Sequence, residues 1–425
     1  MYKITTTNEY ICDHPNLLEK KYTTVLGEYT ILYEDVKITE SPDMALENHQ
    51  SVILEHESRN LLSIAPPKTI DYSDISVLLQ SSEFTDLLNN DIHISELIEG
   101  TMLHLFYDTR ISSWEIATRR AIGGRYSYYH IPDQYTPTYR EMMMESLHLT
   151  EDAPISTIPF LSELSKTHCY SWILQHPQNH IVIPIETPKM YLISVFEIDS
   201  VEQTATFISP EIYQKWAVFE TPIREKTIYF PKTISSSSSV REKKTILQYI
   251  QENASANTPY YHMGLVFTNI KSGKRATYLN PNYLEMAEVR GNHSNLLYQF
   301  LCLKRIQKIR IFLHYFPQYH YLFSLYKQKY DELVSKIHGY YMSYYVQKMG
   351  TVIPKKYFST IYTIHHSIFL PSITTQEKIV VRKSVVRDYL QSLDPVQLLA
   401  LLNADTNTFF SNETENNNED GHTLC

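Results

Sequence analysis

Glycine is scarce in this chain: 10 occur in 425 residues, about a third of ordinary usage. So few glycines leave no loop whose bare backbone could cradle a polyphosphate. The nearest approach is Gly273-Lys274-Arg275, which lacks a glycine five residues upstream and a hydroxyl residue after the lysine. No GxGxxG occurs either. P-loop NTPases, protein kinases and GxGxxG-type dinucleotide enzymes are thereby excluded. Cysteine is nearly as sparse. Cys12, Cys169, Cys302 and Cys425 lie far apart with no CxxC pair, a pattern that gives neither a zinc knuckle nor a disulfide framework and suits a reducing compartment. There is no apolar leader and no run of 18 apolar residues, so the chain is expected to be neither secreted nor membrane-spanning. Its final Cys425 is not the fourth-from-last cysteine of a prenylation box. The expected setting is cytosolic.

What is present is a core-forming composition, 43% hydrophobic and 20% charged, at a length that allows roughly two or three domains. The formal net charge of −9 hides an asymmetry. Residues 301–390 hold 14 Lys/Arg against Asp331, Glu332, Glu377 and Asp388, whereas 391–425 carry six acids and no Lys or Arg. Such a split predicts regions with different tasks. Residues 413–420 read as an acidic disordered tail.

Short apolar runs bounded by turn residues fill the first 290 positions. They predict strands at 51–55, 102–106, 180–184, 191–196 and 264–267, with helices at 136–149 and 208–217. The serine run 235–239 reads as a surface loop. From about 293 the period changes to i, i+3, i+4, which predicts helices over 293–310, 319–347, 355–369 and 376–402. The fold class expected is therefore α+β, with largely antiparallel sheets over 1–290, a basic all-α domain over 291–402, and a tail over 403–425.

In the helical half, cations interleave with tyrosines. Lys304, Arg305, Lys308, Arg310, Lys327 and Lys329 supply phosphate attraction, and Tyr326 and Tyr330 supply stacking faces, a combination that suits RNA. Against it stands packing, since tyrosines at helical spacing are more often half-buried core residues. His176 and His180 are four apart, but Pro177 breaks the helix that would pair them and no third ligand is near, so no metal site is expected. There is no GxSxG motif.

One segment stands out. Glu99-Gly100-Thr101 forms a turn leading into a strand, a hairpin returns through Thr118-Arg119, and upstream a strand over 62–65 feeds Lys68. In order of landmarks, residues 50–290 resemble the RNA ligases of the bacteriophage T4 RNA ligase 1 type, and more closely the ligase-like proteins of large nucleocytoplasmic DNA viruses. Residues 172–182 resemble the middle motif of that family, 189–195 the strand after it, Gly264-Leu265-Val266 the Glu-Gly-Val motif, and 277–281 the last motif. The stretch Asn280-Pro281-Asn282-Tyr283 with Val289-Arg290-Gly291-Asn292 resembles the viral proteins most specifically.

The resemblance implies an ATP-dependent nucleotidyltransferase domain followed by a helical domain. A family lysine attacks ATP, carries AMP, and activates an RNA 5′-phosphate for sealing to a 3′-hydroxyl. It also implies a cofactor pocket holding Lys68, Glu99, Gly100 and Lys189, with ATP and Mg²⁺ as cofactors if the protein is active and none otherwise. Lys68 and Glu99 are the catalytic candidates. The departures are systematic, however. The nucleophile position is Leu97, the middle-motif glutamate falls at Ile173, the glutamate before Gly264 is Met263, the last-motif cations fall at Thr277 and Leu279, and an expected arginine is Gln50. Leucine has no lone pair with which to form a P–N bond. Three readings follow: a ligase-derived RNA-binding protein with a degenerate pocket, whose RNA could be tRNA-like; an active RNA ligase with a relocated lysine; and a structural or assembly subunit that docks other viral proteins. The expected location is the cytoplasm of an infected host cell, or the virion, without a membrane.

Overall fold

The computed structural model describes residues 1–24, 27–35, 46–82, 84–85, 92–127, 135–236, 243–291, 293, 295–373 and 379–403. The expected acidic tail beyond Asn403, the serines 237–239 and the start of the expected helix 376–402 lie outside them. The chain divides into two compact units, residues 1–292 and 293–425. It is α+β, with mainly antiparallel sheets in the first unit and helices in the second.

In chain order the strands are β1 (Tyr2–Lys3), β2 (Leu17–Thr23), β3 (Glu28–Glu34), β4 (Val52–Glu55), β5 (Leu61–Ile64), β6 (Ile70–Tyr72), β7 (Ile92–Glu96) and β8 (Thr101–Asp108). There follow β9 (Ser113–Thr118), β10 (Ala121–Ile122), β11 (His168–Gln175), β12 (Lys189–Asp199), β13 (Thr204–Ile208), β14 (Thr233–Ser236), β15 (Gly264–Asn269) and β16 (Arg275–Leu279). Among the described residues they form a seven-stranded sheet (β1-β13-β12-β11-β8-β9-β10), a five-stranded sheet (β14-β7-β15-β16-β6) and a four-stranded sheet (β2-β3-β4-β5). Only β16 and β6 pair in parallel among these.

Strand alternation decides what each face meets. On one face of the seven-stranded sheet, Leu103, Leu105, Tyr170, Trp172 and Leu174 pack against Met142, Met143 and Met144 of the helix Tyr139–Ser146. That helix starts at a capping box between Thr138 and Glu141. On the opposite face, Phe106, Cys169 and Phe196 join Tyr29, Ile31, Ile53 and Leu54 of the four-stranded sheet. The five-stranded sheet sets Ile92, Ile94, Leu265, Phe267, Ala276 and Tyr278 against Leu78, Ile246 and Ile250. Its alternate residues, including His93, Ser95, Val266, Thr268, Arg275 and Thr277, therefore face the other way.

Several expected elements differ from those found. Residues 180–184 are not a strand but a loop, for the reason given below. The helix expected over 208–217 is only the turn Pro210–Tyr213, and Ser235 and Ser236 end β14 rather than opening a loop. Among the described residues of the second unit the helices are Leu296–Arg305, Ile309–Tyr315, His320–Tyr341, Lys355–Thr363, Leu370–Ile373, Lys383–Ser392 and Pro395–Asn403. The stretch 293–310 breaks where Gln307 takes a positive φ of 58°. Two helices run on into single wider turns, Met342–Val346 and Ile364–Phe369. Phe300, Phe312, Phe323, Leu333, Val334 and Ile337 are buried in this unit, together with Tyr326 and Tyr330.

Candidate functional site

The Glu99-Gly100-Thr101 turn lies where β7 hands the chain to β8. Glu99 is 2% exposed, yet its carboxylate is fully provided for. Its oxygens accept the backbone N–H groups of Ile181 (2.9 Å), Val182 (3.0 and 3.1 Å) and Ile183 (3.2 and 3.3 Å). Successive N–H groups aimed at one anion form a concave donor nest. This is why 180–184 does not pair as a strand: its donors are turned to a carboxylate rather than to a neighbouring ladder. The Gln175 side-chain amide donates to the Glu99 carbonyl at 2.9 Å, and that of Asn179 to the Thr101 hydroxyl at 2.8 Å. Gly100 is required by close approach, since a Cβ there would fall 2.4 Å from the Leu174 carbonyl oxygen.

Two cavities adjoin this turn. One, about 390 Å³, is lined by Glu99, Gln175, Glu186, Lys189, Tyr191 and Lys232, among others. Lys189 is half-buried there, with Nζ 5.7 Å from the centre of the Tyr229 ring. Lys68 lines neither cavity. Its Nζ is held 3.0 Å from the buried carboxylate of Glu34, which also accepts from the Gln50 amide at 3.0 Å. The structure thus brings Glu99 and Lys189 to one cavity and leaves Lys68 elsewhere, in an ion pair.

The other cavity, about 300 Å³, lies between the seven- and five-stranded sheets. Met102, Ile173 and Ile193 line it from the first, and His93, Val266, Arg275 and Thr277 from the second, with Leu97, Met263 and Leu279 alongside. Ile193 reaches it because β12 bulges there: Trp172 pairs with Leu192 and Ser171 with Ser194. The five-stranded side holds Asp71, whose carboxylate accepts the Thr277 hydroxyl, and Arg275, whose Nη2 donates to the Pro67 carbonyl at 3.5 Å. Burial lowers the Arg275 pKa to about 10. Reading the sequence by motif passed over Arg275, His93, Asp71 and Tyr213. The signal available was alternation, since Arg275 and Thr277 interleave with the core residues Ala276 and Tyr278.

Of the RNA candidates in the second unit, Arg305, Arg310, Lys327 and Lys329 are exposed, and Lys308 is half-buried. Arg305 lies 3.8 Å from Asp394. Lys304 is half-buried, with Nζ 4.3 Å from the centre of the Tyr330 ring, and desolvation lowers its pKa. Tyr326 and Tyr330 do not offer stacking faces, because they are 6% and 0% exposed and packed into the helical core. The Tyr330 hydroxyl donates to the Arg387 carbonyl at 3.2 Å. His176 pairs with Glu145 at 2.8 Å, and His180 donates from Nδ1 to the Pro177 carbonyl at 2.7 Å. Among the described residues no group of three His, Cys, Asp or Glu could hold a metal ion, and no helix is long and apolar enough to cross a membrane.

No family model matches the chain. It is 22% identical over 316 residues to an immediate-early protein ICP-46 homolog of invertebrate iridescent virus 6, covering 71% of this chain and 65% of that protein. With the homolog of that name in invertebrate iridescent virus 3 it shares 23% over 269 residues, 62% and 52% of the two chains. An RNA ligase of Rhodothermus phage RM378 is 28% identical over 107 residues, 24% of this chain and 23% of that one. The chain therefore spans less than two thirds of these relatives' lengths. Among solved structures, a Naegleria gruberi RNA ligase with AMP and Mn has a TM-score of 0.36 at 12% identity, over 53% of this chain and 59% of that one. A protein described as an ATP-dependent DNA ligase from Aquifex aeolicus has a TM-score of 0.38 at 12% identity, over 75% and 71%. The chain is thus similar, at low identity, to viral ICP-46 homologs and to a phage RNA ligase.

Proposed function

We propose that this chain is an RNA-ligase-like viral protein of the bacteriophage T4 RNA ligase 1 type, in which the adenylylation pocket has degenerated and the basic helical unit binds RNA. One observation carries the reading. Of the positions where the sequence departs from the ligase motifs, Leu97, Ile173, Met263, Thr277 and Leu279 are scattered over 183 positions of sequence yet line the same 300 Å³ cavity, while Gln50 lies apart, against Glu34. The five line it from both sheets. Their side chains supply no lysine amine to form a P–N bond, no carboxylate for a divalent ion and no cation for a triphosphate. These positions therefore offer ATP and Mg²⁺ none of the groups that the family motifs would supply there, and no step is routed through them. Glu99 is engaged by three backbone donors and Lys68 by Glu34, which argues against either as a relocated catalytic group.

The exposed cations of the second unit support RNA as partner. A protein interface is the second reading, favoured by Met349, Val352, Phe358 and Tyr362, which are 70%, 86%, 49% and 48% exposed. The cytoplasm of an infected cell, or the virion, is the setting that the viral relatives support.

The test is incubation with α-³²P-ATP and Mg²⁺ or Mn²⁺, followed by a denaturing gel with an active ligase alongside. No labelled band is expected from this chain. A band lost in Lys68→Ala would restore an active ligase with a relocated nucleophile. A band that survives that substitution would place the nucleophile at another lysine and overturn the degenerate pocket equally.

A further inference from the structure

We propose that the cavity between the seven- and five-stranded sheets is a binding site for a small, largely apolar molecule ending in a single carboxylate, anchored by Arg275. At about 300 Å³ it lies at the lower end of the range for small-molecule sites. Its floor is apolar, with Ile173 and Ile193 facing it from the seven-stranded sheet, while His93, Arg275, Thr277 and Asp71 line it from the five-stranded one.

Arg275 is the group that asks for a ligand. Among the described residues it makes no ion pair, and its one hydrogen bond is the 3.5 Å contact from Nη2 to the Pro67 carbonyl. Its Nε–H is shielded from solvent and has no acceptor. Burial lowers its pKa only to about 10, so the side chain stays charged at neutral pH. Beside it in the cavity wall, His93 is 3% exposed with Nδ1 unpartnered. A half-buried guanidinium held by one long hydrogen bond and a buried imidazole nitrogen without a partner are costly to a fold, and a ligand carboxylate would pair with both.

The same wall limits the ligand's charge. Asp71 and Glu96 also line the cavity, and Asp71 is close enough to act on the Arg275 guanidinium. A polyphosphate would meet one cation and two carboxylates. A monocarboxylate brings one charge to one guanidinium and leaves its body to the apolar floor. This inference rests on Arg275, which is not one of the motif positions, so its failure would leave the RNA-ligase-like reading standing.

The probe is 2-naphthoate, titrated into the full chain and followed by its own fluorescence and by calorimetry. Saturable one-to-one binding is expected, with Kd between roughly 10 μM and 1 mM for a ligand of this size. Arg275→Met should weaken 2-naphthoate by about tenfold or more, the worth of a lost charge-assisted hydrogen bond, while leaving the neutral 2-naphthalenemethanol unchanged. Ile193→Trp should abolish both by filling the floor. If circular dichroism shows that Arg275→Met does not fold, Arg275→Lys and Ile193→Trp decide. No saturation by about 10 mM, the affinity of a negligible contact, overturns the proposal. So does binding indifferent to the Arg275 and Ile193 substitutions, or displacement of the probe by tighter-binding Mg-ATP.

Discussion

His104 shows how far burial alone can set a residue's chemistry. It sits on β8, 1% exposed, with Nδ1 3.1 Å from the Ser171 hydroxyl and Nε2 lacking a partner among the described residues. Burial pushes its pKa down to about 4. His49, His93, His168 and His180 are lowered too, burial being the largest cause in each. A histidine whose folded pKa lies below its unfolded value contributes stability that is complete above about pH 6.5 and is lost as pH falls, because the unfolded chain takes up the proton first. Over the window from about 6.5 down to about 4, His104 alone accounts for about 3 kcal/mol, because each pH unit between the unfolded and folded values is worth roughly 1.4 kcal/mol. Glu115, whose carboxyl is raised by burial, works in the opposite sense. Urea unfolding should therefore weaken steadily below pH 6.5, and His104→Asn should flatten that slope even if it lowers stability at pH 7. Identical slopes in the two proteins would show that His104 is not buried as described.

At the scale of elements, the loop 180–184 is the most telling difference between sequence and structure. Its Ile181-Val182-Ile183 run has every local mark of a strand. What overrides them is a carboxylate some 80 positions earlier, at Glu99, which takes the N–H of each of the three residues. Nothing within the run could reveal that, whereas the strands over 102–106, 191–196 and 264–267 lie within β8, β12 and β15 because their own alternation decides them. The helices were legible by period but not their ends, since the turns Met342–Val346 and Ile364–Phe369 interrupt no pattern of apolar residues. Arg275 was passed over because no strand was read from the sequence over 275–279. The cavity it enters was not legible either, because that needs the faces of two sheets at once. If Glu99 anchors the loop rather than performing chemistry, Glu99→Ala should cost about 1–3 kcal/mol in urea unfolding through three stranded donors, with Glu99→Gln between it and the parent. Unchanged stability in Glu99→Ala would return Glu99 to the candidates for a chemical role.

At the scale of the whole molecule, charge is distributed against the net. The formal total is −9, yet residues 301–390 carry a surplus of ten positive charges. Long-range attraction for a polyanion therefore belongs to the second unit and not to the chain as a whole. Within that unit the structure separates two groups that a composition reading merges: Arg310, Lys327 and Lys329 are exposed, whereas Tyr326 and Tyr330 are core. Binding of single-stranded RNA should weaken linearly in log Kd against log salt, with a slope of about 0.7 per phosphate contacted. Joint replacement of Arg310, Lys327 and Lys329 by alanine should lower that slope by about 2 and weaken binding most at low salt, with unfolding unchanged to within about 0.5 kcal/mol. Tyr330→Phe should do the reverse: it should cost about 1 kcal/mol of stability through the lost hydrogen bond to the Arg387 carbonyl and leave both affinity and slope alone. An affinity for RNA that ignores salt, or one that falls in Tyr330→Phe and not in the triple variant, would remove the cationic face as the binding surface. Weak RNA binding joined to salt-insensitive self-association or capture of a protein partner would instead favour the exposed Phe358 and Tyr362 as the working surface of the helical unit.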